Sequence, residues 1–157
     1  MYINNRDNGF SLIEILVVIA IIGGLTSILL PNLMGVRERA RDAARKSDLK
    51  QIQKALEMYK LDQTPPSYPL TANLPTAGNI WQNATGTVTY MNKVPGDPNR
   101  TPVPASYSYT SPVGTDNLKY ILCACIENVA DTEVITGNCV DGTYVCTTGK
   151  KYVLTEP

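Results

Sequence analysis

Two groups of residues in this 157-residue chain could carry chemistry: one glutamate inside a long apolar run, and four cysteines near the C-terminus. Glu14 is the only formal charge between Phe10 and Leu30. An acidic group in so apolar a segment is costly, so a functional positive partner is expected. No Lys or Arg lies between Arg6 and Arg37. The only positive group that the chain could place beside Glu14 is therefore an α-amine made by cleavage just before Phe10.

The four cysteines, Cys123, Cys125, Cys139 and Cys146, lie close together in the sequence. An even number in a small exported domain predicts two disulfides. A direct Cys123–Cys125 bridge is disfavoured, because that spacing in a strand puts the Cα atoms at the upper limit of disulfide geometry. The other two pairings both remain open. The spacing of Cys123 and Cys125 is not the one usual for structural zinc, so we expect no metal here.

The composition argues against several classes of function. Histidine is absent, which excludes histidine-dependent catalysis and zinc sites that need an imidazole. We find no other constellation typical of an enzyme, and none that requires a cofactor. Lys plus Arg equal Asp plus Glu at 14 each, and in residues 101–157 the acids outnumber the bases. Strong nucleic-acid binding is therefore not indicated.

The apolar run predicts a single membrane helix. A helix over residues 10–30 is about 30 Å long, at roughly 1.5 Å per residue, which matches a bilayer hydrocarbon core. The run exceeds the apolar region of about 7–15 residues found in cleavable secretory signals, and no small-residue cleavage site follows before Pro31. We predict that residues 10–31 form a retained helix that lies in the membrane.

The apolar run begins with the motif Gly9-Phe10-Ser11-Leu12-Ile13-Glu14. This motif resembles the class III signal of the type IV pilin and type II secretion pseudopilin family. The resemblance implies that the prepilin peptidase removes residues 1–9 as a leader, cuts between Gly9 and Phe10, and N-methylates Phe10. Further segments are similar to the major pseudopilin of type II secretion: residues 31–35 (PNLMG), 55–62 (ALEMYKLD), Tyr68-Pro69 and residues 94–98 (VPGDP).

The resemblance also implies how the chain assembles. Apolar helices form the filament core, and the Phe10 amine lies against Glu14 of an adjacent subunit. The implied partners are further copies of this chain, the peptidase, an inner-membrane assembly platform with its ATPase, and the lipid bilayer before assembly. Gly23, Gly24 and Pro31 weaken the helix, so we expect this stretch to extend when subunits pack.

Residues 32–63 are predicted to be the amphipathic second half of the same helix, ending near residues 62–64 before two prolines. Its apolar residues recur at helical spacing: Leu49, Ile52, Ala55, Leu56 and Tyr59. Six basic and three acidic residues lie between Arg37 and Lys50. They predict either a solvated face or a face turned toward neighbouring subunits in a helical bundle.

Residues 64–105 are predicted to connect the helix to a sheet, held down by Trp81 and Tyr90. Residues 106–157 are predicted to form an antiparallel sheet with a cysteine-rich C-terminus, with strands at 106–110, 118–126, 143–148 and 152–155. The expected fold class is α+β and type IV pilin-like: a long N-terminal helix, membrane-embedded in its first half, packed on a small antiparallel sheet with a disulfide-tied C-terminus.

The membrane topology involves a conflict. Lys and Arg are concentrated after the apolar run, which by the positive-inside rule would keep the C-terminal domain in the cytosol. The leader must face the cytosol to be cut, and the cysteines indicate an exported domain. We therefore predict a single-pass inner-membrane protein with its N-terminus inside, which later enters an extracytoplasmic or cell-surface filament.

The predicted function is structural: a subunit of a type IV pilus-like filament. The alternative is the major pseudopilin of a type II secretion system, which residues 31–35 and 59–62 favour. We find no match to that family's acidic calcium-binding loop, and the cysteine-rich end resembles a pilin. A second alternative is a membrane-anchored exported binding module, such as a DNA-uptake minor pilin.

Overall fold

The computed structural model describes residues 9–99, 105–112, 116–137, 139 and 145–157, and for residues 29–34 the backbone alone. Within these residues, one α-helix, α1, is followed by a short 3-10 helix at Thr71–Asn73 and by six short strands. The bounds are α1 Leu12–Asp62, β1 Trp81–Gln82, β2 Thr89–Met91, β3 Ser108–Thr110, β4 Ile121–Cys125, β5 Ile135–Thr136 and β6 Lys150–Thr155. The chain divides into two units, one ending at Arg37 and one running from Glu38 to Pro157, and α1 contributes to both.

In the first unit, the large apolar side chains of α1 from Leu12 to Ile28 are all exposed, between 77% at Leu12 and 50% at Val18. The helix runs without interruption through Gly23, Gly24 and Pro31. The helix break was predicted for packed subunits, so it stays a prediction. Within the described part of the chain, no helix has both the length and the hydropathy that crossing a membrane requires.

In the second unit, the predicted apolar stripe of α1 forms one side of the core. Leu49 and Leu56 are fully buried, and Ile52 and Ala55 are 2% exposed. They pack with Tyr120 and Leu122 and with the other buried residues of the sheet. The helix ends at Asp62, as the two following prolines predict. Burial of this stripe fixes which face of the helix points away from solvent.

The main sheet has the order β3-β4-β6-β5, and every neighbouring pair is antiparallel. Strand β4 is central: Leu122 lies opposite Tyr109 of β3 and Leu154 of β6. Its three middle residues are all buried, and because successive side chains point to opposite faces, both faces of the strand are covered. The predicted α+β class, with a long N-terminal helix and antiparallel sheet, is confirmed.

The connecting region contains a small hairpin of β1 and β2. Trp81 and Tyr90 are 3% and 6% exposed, and their ring centroids lie 5.5 Å apart. Tyr59 of α1 packs against both rings, at 5.8 Å and 5.3 Å. These three rings hold the connection against the helix, as predicted for Trp81 and Tyr90.

One predicted strand needs correction, and one observed strand was not predicted. The described part of the strand predicted at 143–148, residues 145–148, is a turn and irregular backbone, whereas residues 143 and 144 lie outside the described residues. Strand β5 was not predicted, because two residues are too few for any alternation to be visible. The edge beside β6 is therefore formed by Ile135–Thr136, before the last two cysteines.

Candidate functional site

The predicted cleavage site lies at an open end of the chain. Gly9 and Phe10 are exposed, and a Cβ added to Gly9 would meet no atom within 4 Å. The fold itself therefore does not demand glycine at position 9. A requirement for glycine there must come from a bound protein that approaches the backbone closely.

Glu14 closes the first turn of α1. Its Oε2 accepts a 2.8 Å hydrogen bond from the backbone N–H of Ser11, and its own N–H donates to the Ser11 carbonyl at 3.0 Å. This is half of a capping box, in which the residue at the third helical position binds the N–H of the capping residue. The Ser-x-x-Glu spacing of residues 11–14 is the sequence signal for this cap, which our predictions did not include.

Glu14 has no basic partner among the residues that the structure describes. The capping bond directs its carboxylate toward the start of the helix, where Phe10 precedes Ser11. Phe10 lies just before α1, and its side chain and that of Glu14 line the same surface cavity. A positive group arriving at this end would meet a carboxylate already held in position.

A second cluster of charges is buried at the middle of α1, with Arg45 at its centre. Its Nη1 donates to Asp42 at 2.8 Å, Nε and Nη2 donate to Asp97 at 3.1 Å and 2.9 Å, and Nη2 also donates to Glu127 at 2.7 Å. Arg45 and Asp97 are 3% and 1% exposed. Because Asp97 follows β2 and Glu127 follows β4, one guanidinium joins three segments of the chain.

The carboxylates of this cluster have further donors. Asp42 accepts the backbone N–H groups of Glu127 and Asn128, at 3.0 Å and 2.8 Å. Arg41 binds the Glu127 carboxylate through Nε, at 2.9 Å and 3.1 Å, and through Nη2. Buried charges are tolerated only when they are paired and hydrogen-bonded in this way.

The pKa values follow from these contacts. Hydrogen bonds from Arg41 lower the pKa of Glu127 to about 2, against the opposing effect of burial, and Arg45 adds to the shift. For Arg45, burial alone would lower the pKa, but hydrogen bonds to Asp97 and Glu127 outweigh it and raise the value. The Glu127 carboxylate and the Arg45 guanidinium therefore both stay ionised over the ordinary pH range.

Lys46 and Asp48 extend these contacts along α1. Lys46 Nζ binds Asp131 at 2.7 Å and Glu133 at 2.8 Å, and Asp48 accepts a 2.7 Å hydrogen bond from the Tyr107 hydroxyl. Our two predictions for the charged face, solvation or contact with other subunits, are both wrong for Arg45 and Asp42, which are 3% and 2% exposed. Lys46 and Asp48 are half-buried. Their partners lie in the same chain, whereas Arg37, Arg39 and Lys50 are exposed.

The structure joins the cysteines as Cys123–Cys139 and Cys125–Cys146, with Cα atoms 5.9 Å and 5.1 Å apart. None of the four is free. The sequence left two pairings open, and this is one of them. Both bridges start from β4, so they fix the segment that precedes β6 to the central strand.

A long N-terminal helix with one glutamate near its apolar start, packed beyond residue 37 on a disulfide-tied antiparallel sheet, defines the pilin-like class of subunit. Residues 4–30 match the prokaryotic N-terminal methylation motif. Residues 32–128 match the family described as type II secretion system (T2SS), protein G. This second match covers more than half of the chain, which therefore belongs to the protein G family, that of the major pseudopilins.

Individual relatives have the same description. The chain is 36% identical to type II secretion system core protein G of Pseudomonas aeruginosa over 114 residues, covering 68% of this chain and 75% of the relative. The Escherichia coli protein is 35% identical over 113 residues, covering 62% and 70%. The Aeromonas hydrophila protein is 44% identical over 79 residues, covering 46% of this chain. In that match, the chain spans only 54% of the length of the Aeromonas hydrophila protein.

No solved structure matches this chain significantly. The family matches support the pseudopilin alternative better than the type IV pilus subunit that we put first from sequence, and they give that first prediction no specific support. The cysteine-rich end, which favoured a pilin, therefore does not decide between the two.

Proposed function

We propose that this chain is the major pseudopilin of a type II secretion system. It is made as a prepilin, is cut after Gly9 by the prepilin peptidase, and is N-methylated at Phe10. It then lies in the inner membrane as a single-pass protein with its N-terminus inside. From there it polymerises with copies of itself into an extracytoplasmic filament, driven by an assembly platform and its ATPase. The role is structural and requires no cofactor.

The observation that carries this proposal is the position of Glu14. It lies one turn into an apolar helix and inside the matched N-terminal methylation motif, and its carboxylate is held at the helix start without a basic partner among the described residues. Cleavage before Phe10 creates a positive amine at this same end. The two charges of one chain can then be satisfied by those of a neighbour.

The exposed apolar half of α1 supports the membrane and filament steps. Its described side chains between Phe10 and Ile28 present a continuous apolar surface that is unfavourable in water. A bilayer before assembly and other copies of the same helix afterwards both remove this surface from water. Beyond residue 37, α1 and the sheet bury their own apolar residues and form a self-contained folded domain.

The experiment uses a deletion strain complemented with plasmid-borne variants. Wild-type chain should restore the release of secreted proteins into the medium, and the intact mass of the membrane-extracted protein should correspond to a chain that begins with N-methyl-Phe10. Arg39→Met, at an exposed position, is the matched control and should complement fully. Unchanged secretion in the deletion strain, together with loss of surface pili, would instead support the hypothesis that the chain is a type IV pilus subunit.

A further inference from the structure

Three of the four cysteine sulfurs converge, although they belong to two different bridges. The Sγ atoms of Cys125, Cys139 and Cys146 all lie within 4.8 Å of one another. The bonded pairs are Cys123–Cys139 and Cys125–Cys146. The sulfur of Cys139 is therefore a close neighbour of both sulfurs of the other disulfide. Cys123 is outside this group of three.

The two bridges differ in access from solvent. Cys123, Cys139 and Cys146 are buried, at 1%, 4% and 5% exposed, whereas Cys125 is only half-buried. Cys125 also lines a cavity of about 400 Å³, together with Val145, which is 50% exposed. A small thiol can therefore reach the Cys125–Cys146 bridge more readily than the Cys123–Cys139 bridge.

We propose that the two disulfides form an exchange relay, in which attack on the exposed bridge is passed to the buried bridge. A dithiol reductant attacks Cys125 and forms a mixed disulfide, and Cys146 leaves as a thiolate. The Cys146 thiolate then attacks Cys139, so that a Cys139–Cys146 bond forms, the Cys123–Cys139 bond breaks and Cys123 becomes the thiolate.

The remaining step accounts for all the electrons and protons. The second thiol of the reductant attacks its own mixed disulfide and releases Cys125, so the dithiol is oxidised by two electrons to its disulfide. Its two protons end on the two cysteine thiols. The internal exchange transfers no net electrons, because one disulfide replaces another. The relay is a property of the folded domain and is independent of filament assembly.

The most direct test removes one cysteine and follows the thiol left behind. In Cys125→Ser the native bridge is Cys123–Cys139 and the leftover thiol is Cys146, inside the group of three. We expect the thiol to move, so that alkylation at pH 8 shifts from Cys146 toward Cys123. In the matched control Cys139→Ser, the leftover thiol is Cys123, outside the group, and we expect the label to stay on it.

The sequence allows the label and the bridges to be located. Asp131 and Glu133 separate Cys125 from Cys139, and Asp141 separates Cys139 from Cys146, so cleavage at acidic residues places Cys139 and Cys146 on separate peptides. Cys123 and Cys125 stay on one peptide, and fragmentation of that peptide in the mass spectrometer assigns the label or bridge to one of them. Label found only on Cys146 in folded Cys125→Ser would overturn the proposal. Equal movement of the label in both variants would also overturn it. Such a result would show that thiols and disulfides exchange whether or not the free thiol belongs to the group of three sulfurs.

The wild-type protein provides a second test, which applies if Cys125→Ser or Cys139→Ser fails to fold. Native protein is treated briefly with dithiothreitol, quenched with acid and alkylated, and the species that retain one bridge are mapped. The relay predicts a non-native Cys139–Cys146 bond among them. Species that contain only Cys123–Cys139 or only Cys125–Cys146 would show that the bridges react independently and would refute the relay.

Discussion

The backbone N–H of Ser11 donates a 2.8 Å hydrogen bond to Oε2 of Glu14, so the charge in the apolar segment caps its own helix. Glu14 therefore serves two roles in our account. It satisfies a backbone donor at the start of α1 in the single chain, and it offers its remaining acceptor capacity to an amine from a neighbour. A carboxylate that is already oriented loses less side-chain freedom when the second partner arrives.

The first prediction concerns cleavage. Gly9→Val should leave the chain uncut in the membrane, because a side chain would obstruct the close approach of the peptidase to the backbone. The space around Gly9 is open, so the substitution does not disturb the chain itself. N-terminal sequencing and intact mass of the membrane-bound protein measure the effect. Normal processing to Phe10 in this variant would show that glycine is not required.

The second prediction concerns the buried cluster. Arg45→Met should lower the free energy of unfolding by about 3–5 kcal/mol, because Asp97 and Asp42 would be left buried without their counter-charge. Urea unfolding of the detergent-solubilised chain provides the measurement. Arg39→Met removes an exposed arginine from the same helix and should change the stability little. Equal stabilities of the two variants would contradict the role given to Arg45.

The third prediction is a pH dependence. The pKa of Glu127 is about 2 in the folded chain and 4.5 ordinarily, because Arg41 and Arg45 bind its ionised form. The resulting stabilisation is fully present above pH 4.5 and is lost as the pH falls toward 2. Stability should therefore decrease over this window, and Glu127→Gln should flatten much of that decrease.

The control for this pH profile is Glu133→Gln. Glu133 is 65% exposed and shares Lys46 with Asp131, which remains in the variant. We expect the free energy of unfolding of Glu133→Gln to decrease with falling pH in nearly the same way as that of the wild-type protein. If Glu127→Gln and wild type lose stability in parallel between pH 4.5 and pH 2, the low pKa of Glu127 is not what couples pH to folding.

The accuracy of the sequence predictions depended on whether a feature has a local pattern. The apolar stripe from Leu49 to Leu56 and the end of α1 at Asp62 were predictable, because helical periodicity and prolines are local signals. The partners of Arg45 were not, because Asp97 is 52 residues away and ion pairs at that distance leave no periodic trace. The same holds for the turn at residues 145–148, where composition alone suggested a strand.

The disulfides illustrate a different limit. Cys123 and Cys125 are two residues apart in β4, so both side chains lie on one face of the strand. From sequence alone, either could reach Cys139 or Cys146, and only the tertiary fold selects the pairing. The shared face of β4 is therefore the reason that the sequence left the connectivity open.

The fourth prediction concerns the extension of α1 during assembly. Converting Gly23 and Gly24 to alanine should stabilise the helix by roughly 1 kcal/mol per residue and so reduce filament yield. Both positions have room for a methyl group. Gly35→Ala, which also has room but lies outside residues 23–31, is the matched control and should assemble normally. A filament density map with an unbroken helix across residues 23–31 would contradict the expected extension.

The last prediction tests whether Glu14 sets the register between subunits. An unpaired carboxylate or amine in the apolar filament core is costly, so a correctly staggered neighbour is favoured because it pairs both charges. Glu14→Leu should remain membrane-bound and cut before Phe10, yet assemble poorly. Glu14→Asp should be intermediate, because the charge is kept on a shorter side chain.

The measurement that tests this account most directly is the yield of sheared filaments from Glu14→Leu, compared with the pool of processed subunit in the membrane. We expect a normal pool of processed subunit with few filaments, and a partial recovery of filament yield in Glu14→Asp. Wild-type filament yield from Glu14→Leu, with cleavage intact, would contradict it and show that another interaction sets the subunit register.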